Sequence, residues 1–342
     1  MKSSFRRFAF CLLAVVCLSL SGAVNRIVAQ EAAFEAPLGL PPIVEPKDNR
    51  LSPEKVELGK LLYFDPRLSE DHTISCASCH DPAKGWSNGE RFASGVRGQM
   101  GGRSAPTILN SGYFTFQFWD GRALHVEGQA LGPIQNEIEM NMKLGDVVAR
   151  IGEVPEYEER FAAVFPDGVT EQNIAKAIGA FERTINSGNA PFDRWKAGDK
   201  TALSPEAERG RALFFGKANC SACHSGPHFS DGAFHNIGVG MDDPKPDLGR
   251  FVVSKLGGDT GAFKTPTLRE VARTAPYMHD GRFATLEEVV QHYNKGGTPN
   301  EYLDEEIFEL NLSDQEAADL VTFMKEGLAS PDYPLVEPPK LP

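Results

Sequence analysis

The sequence predicts a mainly α-helical protein made of two similar halves. Apolar residues recur at helical spacing, and no stretch alternates convincingly as a strand would. The motif Cys-x-x-Cys-His occurs twice, at 76–80 and 220–224, and the residues around both copies repeat in the same order.

From the N-terminus, Lys2, Arg6 and Arg7 precede an apolar run over 8–20 and then small residues, with cleavage expected after Ala23 or Ala29. This is the pattern of a secretory signal over 1–29, implying export to the periplasm. Its apolar run falls short of the roughly 20 residues that a membrane span needs, and no later run approaches that length. Cys11 and Cys17 leave with the signal, so every remaining cysteine belongs to one of the two motifs and no structural disulfide is expected. The signal carries four basic residues and no acidic one, so its removal takes the net charge from −12 to about −16. Such a surface repels nucleic acid and anionic lipid and suits a partner with a basic docking face.

An N-terminal extension is expected over 30–50, a first domain over 51–190, a second over 200–330 and a proline-rich tail lying extended over 331–342. Periodicity predicts helices at about 53–64, 145–151, 155–164, 171–186, 205–215, 285–293 and 313–327. Ser52-Pro53-Glu54 and Ser204-Pro205-Glu206 each supply an N-cap, a proline in the first turn and an acid beside it. The segment 187–203 reads as a hinge.

Each Cys-x-x-Cys-His suits covalent attachment of one haem. The thiols of Cys76 and Cys79, and of Cys220 and Cys223, add to the two vinyl groups, and His80 or His224 ligates the iron. A zinc site or a redox dithiol would use the cysteines but leave the adjacent His without a role. Two covalent c-type haems are therefore expected, one in each of two cytochrome-c-like domains.

The repeat carries further chemistry. Ala105-Pro106-Thr107 matches Thr265-Pro266-Thr267, and Asp120-Gly121-Arg122 matches Asp280-Gly281-Arg282 without a gap. The spacing that leads from Pro266 to Tyr293 leads from Pro106 to Pro133. A tyrosine can ligate iron and a proline side chain cannot, so one haem is expected to have protein ligands on both faces and the other an open face. Met278, His279 and His292 are rivals to Tyr293.

Over about 51–328 the chain resembles the bacterial dihaem cytochrome c peroxidases and, more closely, the MauG enzymes that mature methylamine dehydrogenase. The resemblance rests on both haem motifs, Phe118-Trp119-Asp120-Gly121-Arg122, Ile138-Glu139-Met140, Pro276-Tyr277-Met278-His279-Asp280-Gly281 and the segment from Tyr293 to Gly297. It implies that Glu139 is the distal acid-base residue of the peroxide-binding haem, with Gln129 and Pro133 lining the pocket and Trp119 relaying electrons between haems. It also implies Tyr293 as the second ligand of the other haem. A calcium ion is implied near Thr274 and Pro276, where Ser104 replaces the family's Asn. His228 and His235 would pack or bond haem propionates.

Two departures bear on mechanism. Many of these peroxidases close the resting site with a His from the loop after the first motif, but 81–103 holds no His, six glycines and Met100 as the one conventional ligand. An open resting site is expected, with His72 and His125 as the other residues able to close it. Tyr293 stands where many relatives use Met; a tyrosine oxygen favours higher iron oxidation states, whereas a thioether raises the reduction potential. Three functions follow: reduction of hydrogen peroxide with electrons from a small periplasmic cytochrome or copper protein, MauG-like oxidation of residues in a partner protein, and plain electron carriage. A carrier needs no open haem, so the two enzyme readings stand ahead of it; they share the site and differ in what docks on the surface, with peroxide reduction taken as the leading one.

Overall fold

The computed structural model describes residues 34–342, so the signal reading of 1–29 lies outside the described residues. Residues 36–342 form one unit. Among the described residues no helix is long and apolar enough to cross a membrane.

The helices are α1 Pro53–Phe64, α2 Cys76–Cys79, α3 His125–Gln135, α4 Leu144–Gly152, α5 Pro155–Val164, α6 Glu171–Glu182, α7 Pro191–Ala197, α8 Pro205–Phe214, α9 Phe251–Ser254, α10 Leu286–Asn294 and α11 Asp314–Thr322. A π-helical turn, Phe323–Gly327, prolongs α11. Two antiparallel pairs of very short strands complete the fold: β1 Phe116–Gln117 with β2 Ala123–Leu124, and β3 Phe234–His235 with β4 Phe263–Lys264.

The long helices begin where the caps predict. The Ser52 hydroxyl accepts from Lys55 N and the Ser204 hydroxyl from Ala207 N, each ahead of a proline in the first turn. Helix α6 ends at Glu182, short of the expected 186, because the next amides turn back in tighter bonds, Thr184 N to Phe181 O and Ile185 N to Glu182 O. Helix α3 escaped the periodicity because Pro133 lies inside it, a residue that removes a helical donor and usually marks an end. Helix α7 occupies the segment read as a hinge. Its Asp193 accepts both guanidinium bonds of Arg269, at 2.7 and 2.9 Å, in a fully buried ion pair that ties the connector down.

Each half has its own core. The first gathers Leu58, Leu62, Tyr63, Trp86, Ile134, Phe161 and Phe181; the second gathers Phe214, Phe229, Leu286, Val290, Leu320 and Phe323. The sequence repeat is a structural one. Gly59 lets α1 cross α6 so closely that a Cβ would lie 1.9 Å from Ala177 O, and Gly210 does the same for α8 and α11, at 2.0 Å from Asp319 O. Thr107 donates to Gly85 O as Thr267 donates to His228 O, and Ser87 donates to Ala105 O as Ser230 donates to Thr265 O. The tail over 331–342 has no regular structure, and its Tyr333, Val336 and Leu341 pack on the first core.

Candidate active site

Helix α2 presents the first cysteine pair. Ser75 caps it, its amide held in return by the Ser78 hydroxyl at 3.0 Å, and His80 follows at its C-terminal end. The Tyr63 hydroxyl donates to His80 O at 2.8 Å. Burial pushes the His80 imidazole down to about 4, so it is neutral, as iron ligation requires. Its Nδ1 is buried with no close hydrogen-bond partner among the described residues, although the Trp86 and Pro106 carbonyls act on the imidazole against the effect of burial.

Opposite this pair, α3 and the turn after it assemble the residues expected at the distal face. Gln129 and Pro133 are one helical turn apart on α3. Met140 N donates to Pro133 O at 3.2 Å and Met142 N to Ile134 O at 2.8 Å, folding the chain so that Glu139 returns beside Pro133. The Glu139 backbone carbonyl accepts from Val96 N at 2.8 Å, and Gly95 packs so tightly here that a Cβ would lie 1.9 Å from Ile138 O. Glu139 Oε1 accepts from Asn136 Nδ2 at 2.7 Å. Burial holds the Glu139 carboxyl above the usual carboxylate range, against the opposing pull of Arg122 and Asn136. Burial and then the charge of Glu139 push the Cys79 thiol up to about 11, which puts this carboxylate beside the first motif. Met100 is exposed and its Sδ accepts from the Ser94 hydroxyl at 2.9 Å, while His72 and His125 are also exposed.

In the second half one apolar cavity is lined by Cys220, Cys223, His224, Met278, His279 and Tyr293. His224 is half-buried, desolvation lowers its affinity for protons, and its Nδ1 lies 2.9 Å from Phe229 O, which leaves Nε2 free for a ligand. Tyr293, near the end of α10, faces the cysteines. Burial first, then the two thiols, push its phenol well above the ordinary value. His292 points elsewhere, with Nε2 2.8 Å from Ile237 O, and does not line the cavity. His279 is stacked on Phe263 with ring centroids 3.7 Å apart, and burial pushes it down to about 4. The residues of both motifs fit a covalent haem: four reduced cysteines, two half-buried imidazoles whose affinity for protons is lowered and, in the second half, an apolar chamber to receive the ring.

The halves meet at Trp119. Its indole donates to Ser104 O at 2.8 Å, and Ser104 N donates to His279 O at 2.7 Å. Trp119 O accepts from Lys264 N at 2.7 Å. Sequence reasoning missed Lys264, which lines the second cavity beside Trp119 and whose ammonium burial pushes down to about 8. The one available signal was positional, since Lys264 matches Ser104 in the repeat. Ser104, Thr274 and Pro276 also border this cavity, and Thr274 Oγ1 donates to Val271 O at 3.1 Å. Among the described residues the one group of metal-ligating side chains able to share an ion is Cys223, Asp231 and His235, and Cys223 already belongs to a haem motif. Hydrogen bonding to Cys223 first, then to Asp304 and Asp231, pushes His235 up to about 10. His228 packs against the Tyr113 ring, centroids 4.4 Å apart.

Two cytochrome-c-type domains, each with a half-buried attachment motif, define a dihaem c-type protein. Residues 53–201 match the family described as di-haem cytochrome c peroxidase and residues 207–327 match cytochrome c. The chain is 43% identical to the methylamine utilization protein MauG of Methylorubrum extorquens over 89% of this chain and 86% of that one. It is 39% identical to a cytochrome-c peroxidase of Denitromonas iodatirespirans over 96% and 94%. A solved MauG-like protein associated with microbial copper homeostasis superposes with a TM-score of 0.82 at 33% identity, covering 88% of this chain and 96% of that one. The chain belongs to the dihaem cytochrome c peroxidase and MauG family.

Proposed function

We propose that the protein reduces hydrogen peroxide at the first haem, with electrons entering at the second and passing by way of Trp119. The observation that carries this reading is the asymmetry of the distal residues. Pro133 offers no ligand beside the first motif but brings Glu139 with it, whereas Tyr293 faces the cysteines of the second. His80 and His224 hold the irons, and Cys76, Cys79, Cys220 and Cys223 the rings. Haem supplies, when bound, an iron that takes up peroxide and one that stores an electron. With Oε1 engaged by Asn136, Glu139 Oε2 is free to take a proton from one peroxide oxygen and return it to the other, which would leave as water; two electrons from the donor and two solvent protons balance the reduction of one peroxide to two waters. Gln129 and Pro133 shape the pocket. Trp119 relays electrons, its indole fixed by Ser104 O.

The donor is a small redox protein, a cytochrome or a copper protein. Glu306, Ile307 and Phe308 border the second cavity; Phe308 is exposed, and exposed Glu301, Glu305 and Glu309 lie around it in the chain, a setting for a basic docking face. The N-terminal signal pattern and c-type attachment support a periplasmic setting. A calcium ion at Ser104, Thr274 and Pro276 would be structural. These residues offer no carboxylate, and no step depends on the ion. Tyr293 also favours a second reading, in which peroxide oxidising equivalents are spent on residues of a partner protein. Rapid mixing of the ferric protein with one equivalent of peroxide, then with a reduced basic cytochrome, separates the two. Prompt, repeated, salt-sensitive oxidation of the cytochrome is the expected result; a long-lived oxidised state indifferent to it overturns the peroxidase reading in favour of the second.

A further inference from the structure

We infer that Trp86 is a positioning residue for the first haem and that the C-terminal segment around Tyr333 and Pro334 holds it in place. The loop over 81–87 follows His80 directly and is closed on itself, with Asp81 N donating to Ser87 O and Trp86 N to Asp81 O, both at 2.9 Å. Trp86 sits in this loop fully buried, at a left-handed φ of 57°, against the rings of Tyr63 and Phe181. Its indole nitrogen finds its partner 248 positions along the chain, donating to Pro334 O at 2.9 Å. The neighbouring Tyr333 hydroxyl donates to Pro82 O. Two consecutive residues of the tail thus grip both sides of the loop that carries the proximal ligand.

The grip is anchored in the other half of the protein. The Arg273 guanidinium lies 4.5 Å from the Tyr333 ring centroid and bonds to Glu270 at 3.0 Å. Glu270 Oε1 takes both the Ser187 hydroxyl at 2.6 Å and Ser330 N at 2.7 Å, just ahead of the tail.

Among the described residues the second haem site has no such strap. Phe229 occupies the place of Trp86, as the matching bonds of Thr107 to Gly85 and Thr267 to His228 show, and a phenylalanine has no N–H to be held. There the imidazole has its own anchor, His224 Nδ1 to Phe229 O. At the first site the corresponding Trp86 carbonyl accepts from Ile108 N at 3.2 Å, and among the described residues His80 Nδ1 makes no close hydrogen bond, although the Trp86 and Pro106 carbonyls lie near enough to the imidazole to favour its protonated form. A proximal imidazole without a close bond of its own takes its orientation from the packing of the loop, whose Trp86 carbonyl faces it. Trp86 is the largest fully buried side chain in that loop, and the tail is what fixes it. The indole also shields the site from water, and a haem kept dry favours its ferrous form.

This inference rests on a haem at His80 and not on which substrate that haem serves. The test uses the holoprotein and two variants, Trp86→Phe, which restores the residue found in the other half, and Tyr333→Phe, which removes only the hydroxyl. Potentials of both haems are measured by spectroelectrochemistry, with ferric spectra alongside. Each variant should retain both haems, and at a fixed potential the ferric-to-ferrous ratio of the first haem should rise at least threefold while that of the second stays unchanged. Should Trp86→Phe fail to fold, Tyr333→Phe reads the same loop from the side of the tail. Unchanged potentials at the first haem, or equal shifts at both, would overturn the inference.

Discussion

Trp119 and His279 occupy equivalent places in the two halves, and the backbones around them exchange hydrogen bonds reciprocally. Ser104 N donates to His279 O and Lys264 N, the repeat counterpart of Ser104, donates to Trp119 O, both at 2.7 Å. The junction between the halves is therefore built on a local twofold relationship that the side chains break. One position carries an indole bonded to Ser104 O and the other an imidazole stacked on Phe263.

The same broken symmetry predicts the resting spectrum. Ferric protein should show one high-spin and one low-spin haem, because Pro133 offers no ligand where Tyr293 offers one. Electron paramagnetic resonance of the oxidised protein reads this directly. Two low-spin haems at rest would require Met100, His72 or His125 to leave its surface position and close the first site.

Glu139→Gln should retain both haems and lower peroxide turnover by about two orders of magnitude, the scale of a lost positioned acid-base group. The carboxylate is the active form and its affinity for protons is raised by burial, so activity should be lost as pH falls, from a higher pH than for an exposed glutamate. Asn136→Ala removes a bond that favours the charged form and should move this acidic limb to still higher pH. A pH–rate profile that stays in place in Asn136→Ala would disconnect the limb from Glu139.

Tyr293→Met should raise the potential of the second haem and alter its low-spin spectrum, since a thioether favours ferrous iron. Spectroelectrochemistry of the variant measures both. If neither changes, Met278 and His279, which share the cavity, become the candidates, while His292 stays bonded to Ile237 O outside it.

Glu182 is fully buried in the first half, and burial, then the charge of Glu127, push it up to about 8. The folded state thus holds a proton that the unfolded chain releases near about 4.3. The stabilisation is complete below that lower value and is lost as pH rises towards about 8. Glu182→Gln should remove this fall, and chemical denaturation at pH 5, 7 and 9, as approximate set points, would show it as a flatter stability profile. A variant whose stability declines with pH as steeply as the parent would assign the slope to other groups.

Short-range order accounts for what was legible in the chain. Helix starts at Ser52 and Ser204 were readable because a cap bonds within three residues of itself. Both haem motifs were readable because attachment needs two thiols and an imidazole within five consecutive positions. The pairing of Pro133 with Tyr293 followed from an ungapped repeat, which fixes equivalent places without any knowledge of the fold. Helix α3 was hidden by its internal proline, and α7 by a composition that resembles a linker.

By itself, then, the sequence determined the dihaem class and the helical architecture, carried by residues close together or at repeated spacing, and it raised the expectation of two unlike distal faces. Tertiary structure alone decided which side chains meet across long separations. It set Glu139 beside Cys79, aimed Tyr293 rather than His292 at the second cavity, and buried Asp193 against Arg269 where a hinge was expected. It also brought Pro334 back to Trp86. Hydrogen bonds and buried charges depend on distance through space, which spacing along a chain records only when the intervening segment is one regular element.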